Sequence, residues 1–462
     1  MKPIGVGETK EILRRGDVSV LEHVQSVLST IHKHDGELSA YVSVAGEEAL
    51  QAAEAADARI RALGPAAAWQ DHPLLGVTVS VKDLIQTTDL PTTRGSLLPN
   101  GRAQADTPAV ARLRAAGAII VGKTTTSEYG WSASTVCRVA QPTRNPRNPA
   151  LTAGGSSGGA AAAVAAGMCA GALGTDGAGS IRIPSAFCGT VGYKPSFGRV
   201  PYVPSGAERL AHLGPIANTV PDVIELAAVL AGPDRLDPDS GLGTLDAPRD
   251  RRSLRIGWVE YPGTTGEIRR ITEQVWPVLT ADGHHVERVE VRCGGLYPAL
   301  VDIIAATEAA GTRPEDEELI DQGRLEIVRY GRTLSGPAVM RAEGVRHELR
   351  STLRSVMDRF DLLVMATVPV EPFAADAIGP AWAADPRDLL WLDWAPASYP
   401  FNMTGQPAVS LPAGLTAAGL PVGIQLVGPV GADDLVLSTA LRIEAELGSL
   451  PPIPDRVTEG VL

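Results

Sequence analysis

Aromatic residues are scarce in this chain, at 4% of 462 positions, and cysteine occurs only four times, at Cys137, Cys169, Cys188 and Cys293. The four are scattered and form no C-x-x-C pair. That excludes zinc-ribbon and thioredoxin-type sites and predicts buried free thiols in a reducing compartment. No uninterrupted apolar run reaches the roughly 18 residues that a spanning helix needs. The N-terminal MKPIGVGETKEILRRGD has no apolar signal core. A cytoplasmic protein with no membrane partner is expected. Positive charge is the minority sign: 41 Lys and Arg face 53 Asp and Glu, for a net charge of −12. A broad nucleic-acid surface is therefore not expected. Lysine is rarer still, with six residues: Lys2, Lys10, Lys33, Lys82, Lys123 and Lys194.

Hydrophobic residues at 44% and charged residues at 20% are ordinary for a globular protein. A chain of this length can bury a sizeable core without disulfides or metals. With 49 Gly and 36 Pro, it should contain many turns and a small-residue core. The first 65 residues read as helices. EILRRGD ends at Gly16, Ser19 precedes VLEHVQSVLSTIHKH, and EEALQAAEAADARIRAL is Ala-rich. AYVSVAG between them is a short strand. LLGVTVSVKDLI alternates and is β-branched, as a strand should be. TPAVARLRAAG then reads as a helix ending at Gly117, and AIIVGKT as a buried strand. That succession argues an α/β fold. QPTRNPRNPALTAGGSSGG reads as a long loop, AAAAVAAGMCAGA as a small-residue helix, and ALGTDGAGSIRIP as a second Gly-rich loop. Residues 232–253 form a polar connector. LRIGWVE, HHVERVEV, FDLLVMAT, PAVSLPAG and PVGIQLVGP follow as strands, and DDLVLSTALRIEAELG as a helix.

The Gly-rich loops do not fit phosphate binding. Ala160 follows Gly159 where a Walker A loop needs Lys, and Arg182 stands where a dinucleotide fingerprint needs its third Gly. No H-E-x-x-H occurs, and no His cluster has metal-ligand spacing. Gly155-Ser156-Ser157-Gly158-Gly159 matches G-x-S-x-G, but the segment before it is turn-like, whereas a nucleophile elbow follows a strand. Lysine carries more information. Arg is the default cation here, and Lys, unlike Arg, can lose its proton when buried. A Lys inside VTVSVKDLI is costly unless neutral or paired. Lys82 is thus either a candidate base or the partner of Asp83 or another carboxylate. Lys123 and Lys194 read as structural, holding loop carbonyls.

Lys82, GGSSGG and GTDGAGSIRIPSAFCGTVGYKPS together resemble the amidase signature family, whose hydrolases use a Ser-cisSer-Lys triad. The likeness extends to YPFNMTGQPAVSLPAGL and LPVGIQLVGP. It implies one α/β domain over 1–462, a large mixed central β-sheet covered by helices on both faces. Its parts would be a helical N-terminal stretch (1–70), a signature core (71–231), the connector (232–253) and a C-terminal part (254–462) completing the sheet and pocket. It makes Lys82 the catalytic lysine, Ser156 the bridging serine and Ser180 the nucleophile. It also implies a cis peptide between Gly155 and Ser156, and an oxyanion hole from the backbone of Gly177, Ala178, Gly179 and Ser180. Ser157, Thr175, Asp176 and Arg182 match supporting positions, with Asp176 and Arg182 as a pair. Ala178 departs from the family's usual Gly. No metal or organic cofactor is implied.

The physics agrees with those roles. A serine hydroxyl needs a base to become a nucleophile. Desolvation in an apolar strand lowers a lysine pKa toward the neutral form such a base requires.

Within the family, two enzyme readings compete. One is a stand-alone hydrolase of amide-type C–N acyl bonds. The other is the glutamine-hydrolysing A subunit of a tRNA-dependent amidotransferase, which needs a partner. Tyr129-Gly130-Trp131-Ser132-Ala133-Ser134 and Leu210-Ala211-His212-Leu213-Gly214-Pro215 depart from that subunit's usual runs, as does Ile183. They favour the hydrolase. Tyr129, Gly130, Trp131, Ser132 and Gly155 are the expected substrate-binding residues, and Val136 lies on the same loop. Two aromatics there suggest an apolar or aryl acyl group. The expected partner is a small amide or anilide, with urethanase action on carbamates as the leading variation, in a monomer or homodimer.

Overall fold

The computed structural model describes residues 4–247, except 205 and 207, and residues 253–453. Among these, eleven strands form one mixed sheet. Their spatial order is Tyr41–Val44, Ile119–Thr124, Thr78–Lys82, Gly171–Asp176, His212–Ala217, Val191–Lys194, Ala408–Leu415, Pro421–Val427, Leu362–Ala366, Arg255–Val259 and His285–Val289. Strands from both halves of the sequence share this sheet. Of the 232–253 connector, residues 248–252 lie outside the described residues.

Alternation along the strands feeds two faces. Val79, Val81, Ile120, Leu173, Leu362 and Val364 enter one apolar cluster. Ile119, Val121 and Ala172 enter a second on the opposite face, and Leu363 and Met365 a third. Helices cover both faces, so most strands are buried throughout.

The N-terminal helices form where the sequence signals place them. Val6–Arg15 stops at Gly16, which takes the left-handed conformation. Val20–Leu38 starts with a full capping box, Ser19 to Glu22 and back. Gly46–Leu63 and Pro108–Ala115 follow, the latter running into the turn at Gly117.

The structure corrects the sequence reading in three places. ALGTDGAGSIRIP is not wholly loop: Gly171–Asp176 is a strand at the heart of the sheet. The small-residue helix read as AAAAVAAGMCAGA also ends earlier, at Ala165, and its Gly171 opens this strand, where a Cβ would stand 2.6 Å from Leu226 Cδ1. The long loop before GGSSGG contains a hairpin, Arg144–Asn145 with Asn148–Thr152. It is pinned by the Asn145 side chain donating to Phe187 O at 2.8 Å and by the Thr152 N–H donating to Phe373 O at 2.8 Å. Cys169 and Cys188 are buried free thiols, but Cys137 and Cys293 are only half-buried.

The topology gathers three strand ends. Thr78–Lys82 runs parallel to both Ile119–Thr124 and Gly171–Asp176, so Lys82, Thr124 and Asp176 finish along one edge. Ligands in open α/β sheets bind outside such carboxyl ends. No described helix is long and apolar enough to cross a membrane. Leu226 is fully buried on the helix packed against Gly171. Leu226→Ala should cost about 2–5 kcal/mol, read as a lower urea midpoint; an unchanged midpoint would contradict this packing.

Candidate active site

Lys82 ends its strand fully buried, and three hydroxyls surround its amine. Nζ stands 2.7 Å from Ser156 Oγ, 2.9 Å from Ser157 Oγ and 2.9 Å from Thr175 Oγ1. No carboxylate among the described residues forms an ion pair with it. Burial pushes its pKa well below the ordinary 10.5, against the weaker opposing pull of the Asp176 charge. A neutral amine has two N–H donors and one lone pair. Ser157 and Thr175 can take the donors, which leaves the lone pair for the Ser156 hydroxyl proton.

The alternative of a Lys82–Asp83 pair is not what forms. Asp83 turns instead to Lys123, 3.4 Å away, and accepts the Thr93 N–H at 3.0 Å. Lys123 also donates to Thr92 Oγ1 at 2.6 Å. Lys194 holds loop carbonyls, those of Pro195 and Gln406.

Ser156 and Ser157 are presented by a tight turn leading into the helix Gly158–Ala165. The Gly155–Ser156 peptide is cis. Gly155 has to be glycine, because a Cβ there would sit 2.4 Å from the Ser134 carbonyl carbon. Thr135 Oγ1 fastens the turn, donating to Gly154 O at 2.8 Å and accepting the Gly158 N–H at 3.0 Å. The Ser157 N–H donates to Ser180 O at 3.1 Å, which ties this turn to the next.

That second turn, Gly177 to Ser180, joins the Gly171–Asp176 strand to the helix Arg182–Cys188. It is wrapped around a buried ion pair. Arg182 donates to Asp176 from Nε and Nη2, both at 2.9 Å. Burial acts to raise the Asp176 carboxyl, but the Arg182 charge and hydrogen bonds outweigh it and hold the group ionised. The carboxylate also accepts the Gly179 N–H at 2.7 Å and the Ile181 N–H at 3.2 Å. The Gly179 donor is thus spent inside the protein, which narrows the oxyanion run read from the sequence. The N–H groups of Gly177, Ala178 and Ser180 find no acceptor among the described residues. Ala178 keeps an ordinary negative φ, so its methyl group strains nothing.

Both turns border a cavity of about 370 Å³, within the range of small-molecule sites. Ser156, Ser180, Thr175, Gly177 and Ala178 line its floor, and Tyr129, Gly130, Trp131 and Ser132 line its wall. Gly155, Ser157, Asp176, Gly179 and Arg182 lie behind the lining, and Val136 is not part of it. Sequence reasoning missed the distant supports. Ser398 Oγ donates to Ala178 O at 2.7 Å, and Asn402 Nδ2 donates to Asp176 O at 2.7 Å. Arg182 also reaches Gln425 Oε1 at 2.8 Å. The one available signal was a lone Asn inside the apolar run YPFNMTG. Sequence reasoning also missed Leu84, Ile304 and Leu392, which extend the apolar wall, and the charged residues Arg94, Glu208, Glu308 and Arg324.

Comparisons with known proteins place the chain in a family. The family model described as Amidase matches residues 22–437. The A subunit of the glutamyl-tRNA(Gln) amidotransferase of Thermus thermophilus is 36% identical over 95% of this chain and 96% of its own. An acylamidase of Rhodococcus erythropolis is 35% identical over 81% of this chain and 82% of its own. Among solved structures, a bacterial aryl acylamidase superposes with a TM-score of 0.85 at 29% identity, over 96% of both chains. A 6-aminohexanoate cyclic dimer hydrolase complexed with substrate gives 0.83 at 26%, over 96% of this chain and 97% of that one. With sequence, fold and the lysine–serine centre in agreement, the chain belongs to the amidase signature family of hydrolases.

Proposed function

We propose that this chain is a serine amidohydrolase of small amides and anilides, with carbamates as the leading variation, working through an acyl-enzyme on Ser180. The observation that carries the reading is a fully buried Lys82 with hydroxyls around its amine and no ion-paired carboxylate among the described residues, 2.7 Å from Ser156 Oγ. Lys82 takes the Ser156 proton as Ser156 takes that of Ser180. Ser180 Oγ attacks the carbonyl carbon. The negative charge that develops on oxygen is received by the N–H groups of Gly177, Ala178 and Ser180. Ser156 returns a proton to the leaving amine, and the C–N bond breaks. Water then repeats the sequence on the acyl-enzyme and frees Ser180. A carbamate carbonyl fits the same donors and would leave as alcohol, carbon dioxide and amine.

The apolar wall of Tyr129, Trp131, Leu84, Ile304 and Leu392 supports an acyl or aryl group as the bound portion. A second reading, a glutamine-hydrolysing component of an amidotransferase, is favoured by the 36% identity with the Thermus thermophilus protein. Assay of the purified chain alone separates the two. Release of nitroaniline from acyl 4-nitroanilides, or of amine from a matched carbamate, supports the hydrolase. Glutamine as sole substrate, or activity only with a partner protein, would favour the second reading.

Ser180→Ala should reduce turnover by at least about 10⁴-fold with the fold intact. Ser156→Ala should cost about 10²- to 10⁴-fold. Near-normal rates in either variant, measured by steady-state kinetics, would rule out the relay.

The pH dependence follows from the lowered Lys82 pKa. Activity needs the neutral amine, so it should fall as pH drops through that lowered value and rise again above it. Stability carries the complementary sign. Below about 10.4 the unfolded chain protonates Lys82, and the folded chain resists doing so until its own lowered pKa is reached. Folding therefore costs free energy in that range, and stability should rise with pH up to about 10.4. Lys82→Met should be inactive yet more stable than the parent near pH 7, and its advantage should shrink toward pH 10. Denaturation of both proteins across pH checks this; a Met variant less stable at pH 7 would contradict it.

A further inference from the structure

Arg94 lies in the loop after the Thr78–Lys82 strand, and its side chain lines the same cavity as Ser156 and Ser180. Its backbone is held at both groups. The N–H donates to Asp83 O at 3.1 Å, and the carbonyl accepts the Tyr129 N–H at 2.8 Å. Its φ is +59°, a left-handed conformation that side-chain-bearing residues rarely adopt. The guanidinium carbon sits 5.6 Å from the centre of the Tyr129 ring. The side chain is therefore carried at a fixed place on the cavity wall.

What distinguishes Arg94 is its charge balance. The cavity's other guanidinium, Arg324, is compensated: Glu308 stands 2.7 Å away and Glu128 3.6 Å. Arg324 also lies over the Tyr129 ring at 4.4 Å. Arg94 has no carboxylate in ion-pair contact and no side-chain hydrogen bond among the described residues. Glu308 is already engaged by Arg324. Glu208, the remaining cavity carboxyl, forms no ion pair with Arg94 among the described residues. A half-buried guanidinium with its donors unused, facing a cavity floored by nucleophilic serines, matches a planar anion in both charge and geometry.

We propose that Arg94 is a specificity residue that recruits substrates carrying a carboxylate away from the scissile bond. The proposal rests on the cavity being the amidohydrolase site. Two substrate pairs test it and locate the anion. On the acyl side, glutaryl 4-nitroanilide is set against its neutral isostere 5-oxohexanoyl 4-nitroanilide. On the leaving side, 4-butanamidobenzoate is set against 4-butanamidoacetophenone. Each pair is measured with the parent, Arg94→Met and Arg94→Lys. In at least one pair the parent should prefer the anion in kcat/KM. Arg94→Met should lower that anion-to-neutral ratio by about 10-fold or more, mainly through KM, and Arg94→Lys should recover part of it. A ratio unchanged in Arg94→Met, or a parent that prefers the neutral partner in both pairs, would overturn the proposal. Failure of the parent to cleave any of the four would instead sink the amidohydrolase reading, and this proposal with it.

Discussion

A lysine amine buried without a carboxylate is the constraint on which this structure turns. Lys82 is fully buried, and its neighbours are the hydroxyls of Ser156, Ser157 and Thr175. A charged ammonium in such a place is expensive, and a neutral one is a base. The fold keeps the nearest negative charges occupied elsewhere. Asp83, the next residue, turns to Lys123, and Asp176 is neutralised by Arg182. Two buried ion pairs flank the lysine and leave it without one of its own.

The sheet supplies the positions. Lys82 and Asp176 end adjacent parallel strands, so the proposed base and the root of the Gly177–Ser180 turn arrive at one edge. The Asp176–Arg182 pair then organises that turn, taking the Gly179 and Ile181 N–H groups and leaving those of Gly177, Ala178 and Ser180 uncommitted. Arg182 extends the brace to Ser398, Asn402 and Gln425. Contacts from more than 200 residues further along the chain thereby brace the Gly177–Ser180 turn. Removing one partner from a buried pair of this kind is costly, since it strands the other charge.

Local chemistry was legible in the sequence where it is written locally. The capping box at Ser19 and the alternating strand around Lys82 both appear where their residues place them. The Gly171–Asp176 strand was hidden because its residues read as the end of a small-residue helix and the start of a Gly-rich loop, whereas in the fold Gly171 admits Leu226 against the backbone. The neutrality of Lys82 could be framed from sequence but not decided. The choice depended on whether Asp83 faced Lys82 or Lys123, which is a matter of strand alternation and the turn that follows. Ser398, Asn402 and Gln425 were invisible because tertiary contact alone gives them their role. Arg94 left no mark as one Arg among many, and only the cavity shows that it forms no ion pair among the described residues.

With only six lysines in the chain, the protonation state of Lys82 can be observed directly. The protein labelled with ¹³C-lysine would be titrated by NMR, using Lys82→Met to assign the Lys82 side-chain resonance. A buried neutral base should titrate well below the ordinary 10.5. A Lys82 that titrates near 10.5 would contradict this, because the base would then be a cation at the pH where the enzyme has to work.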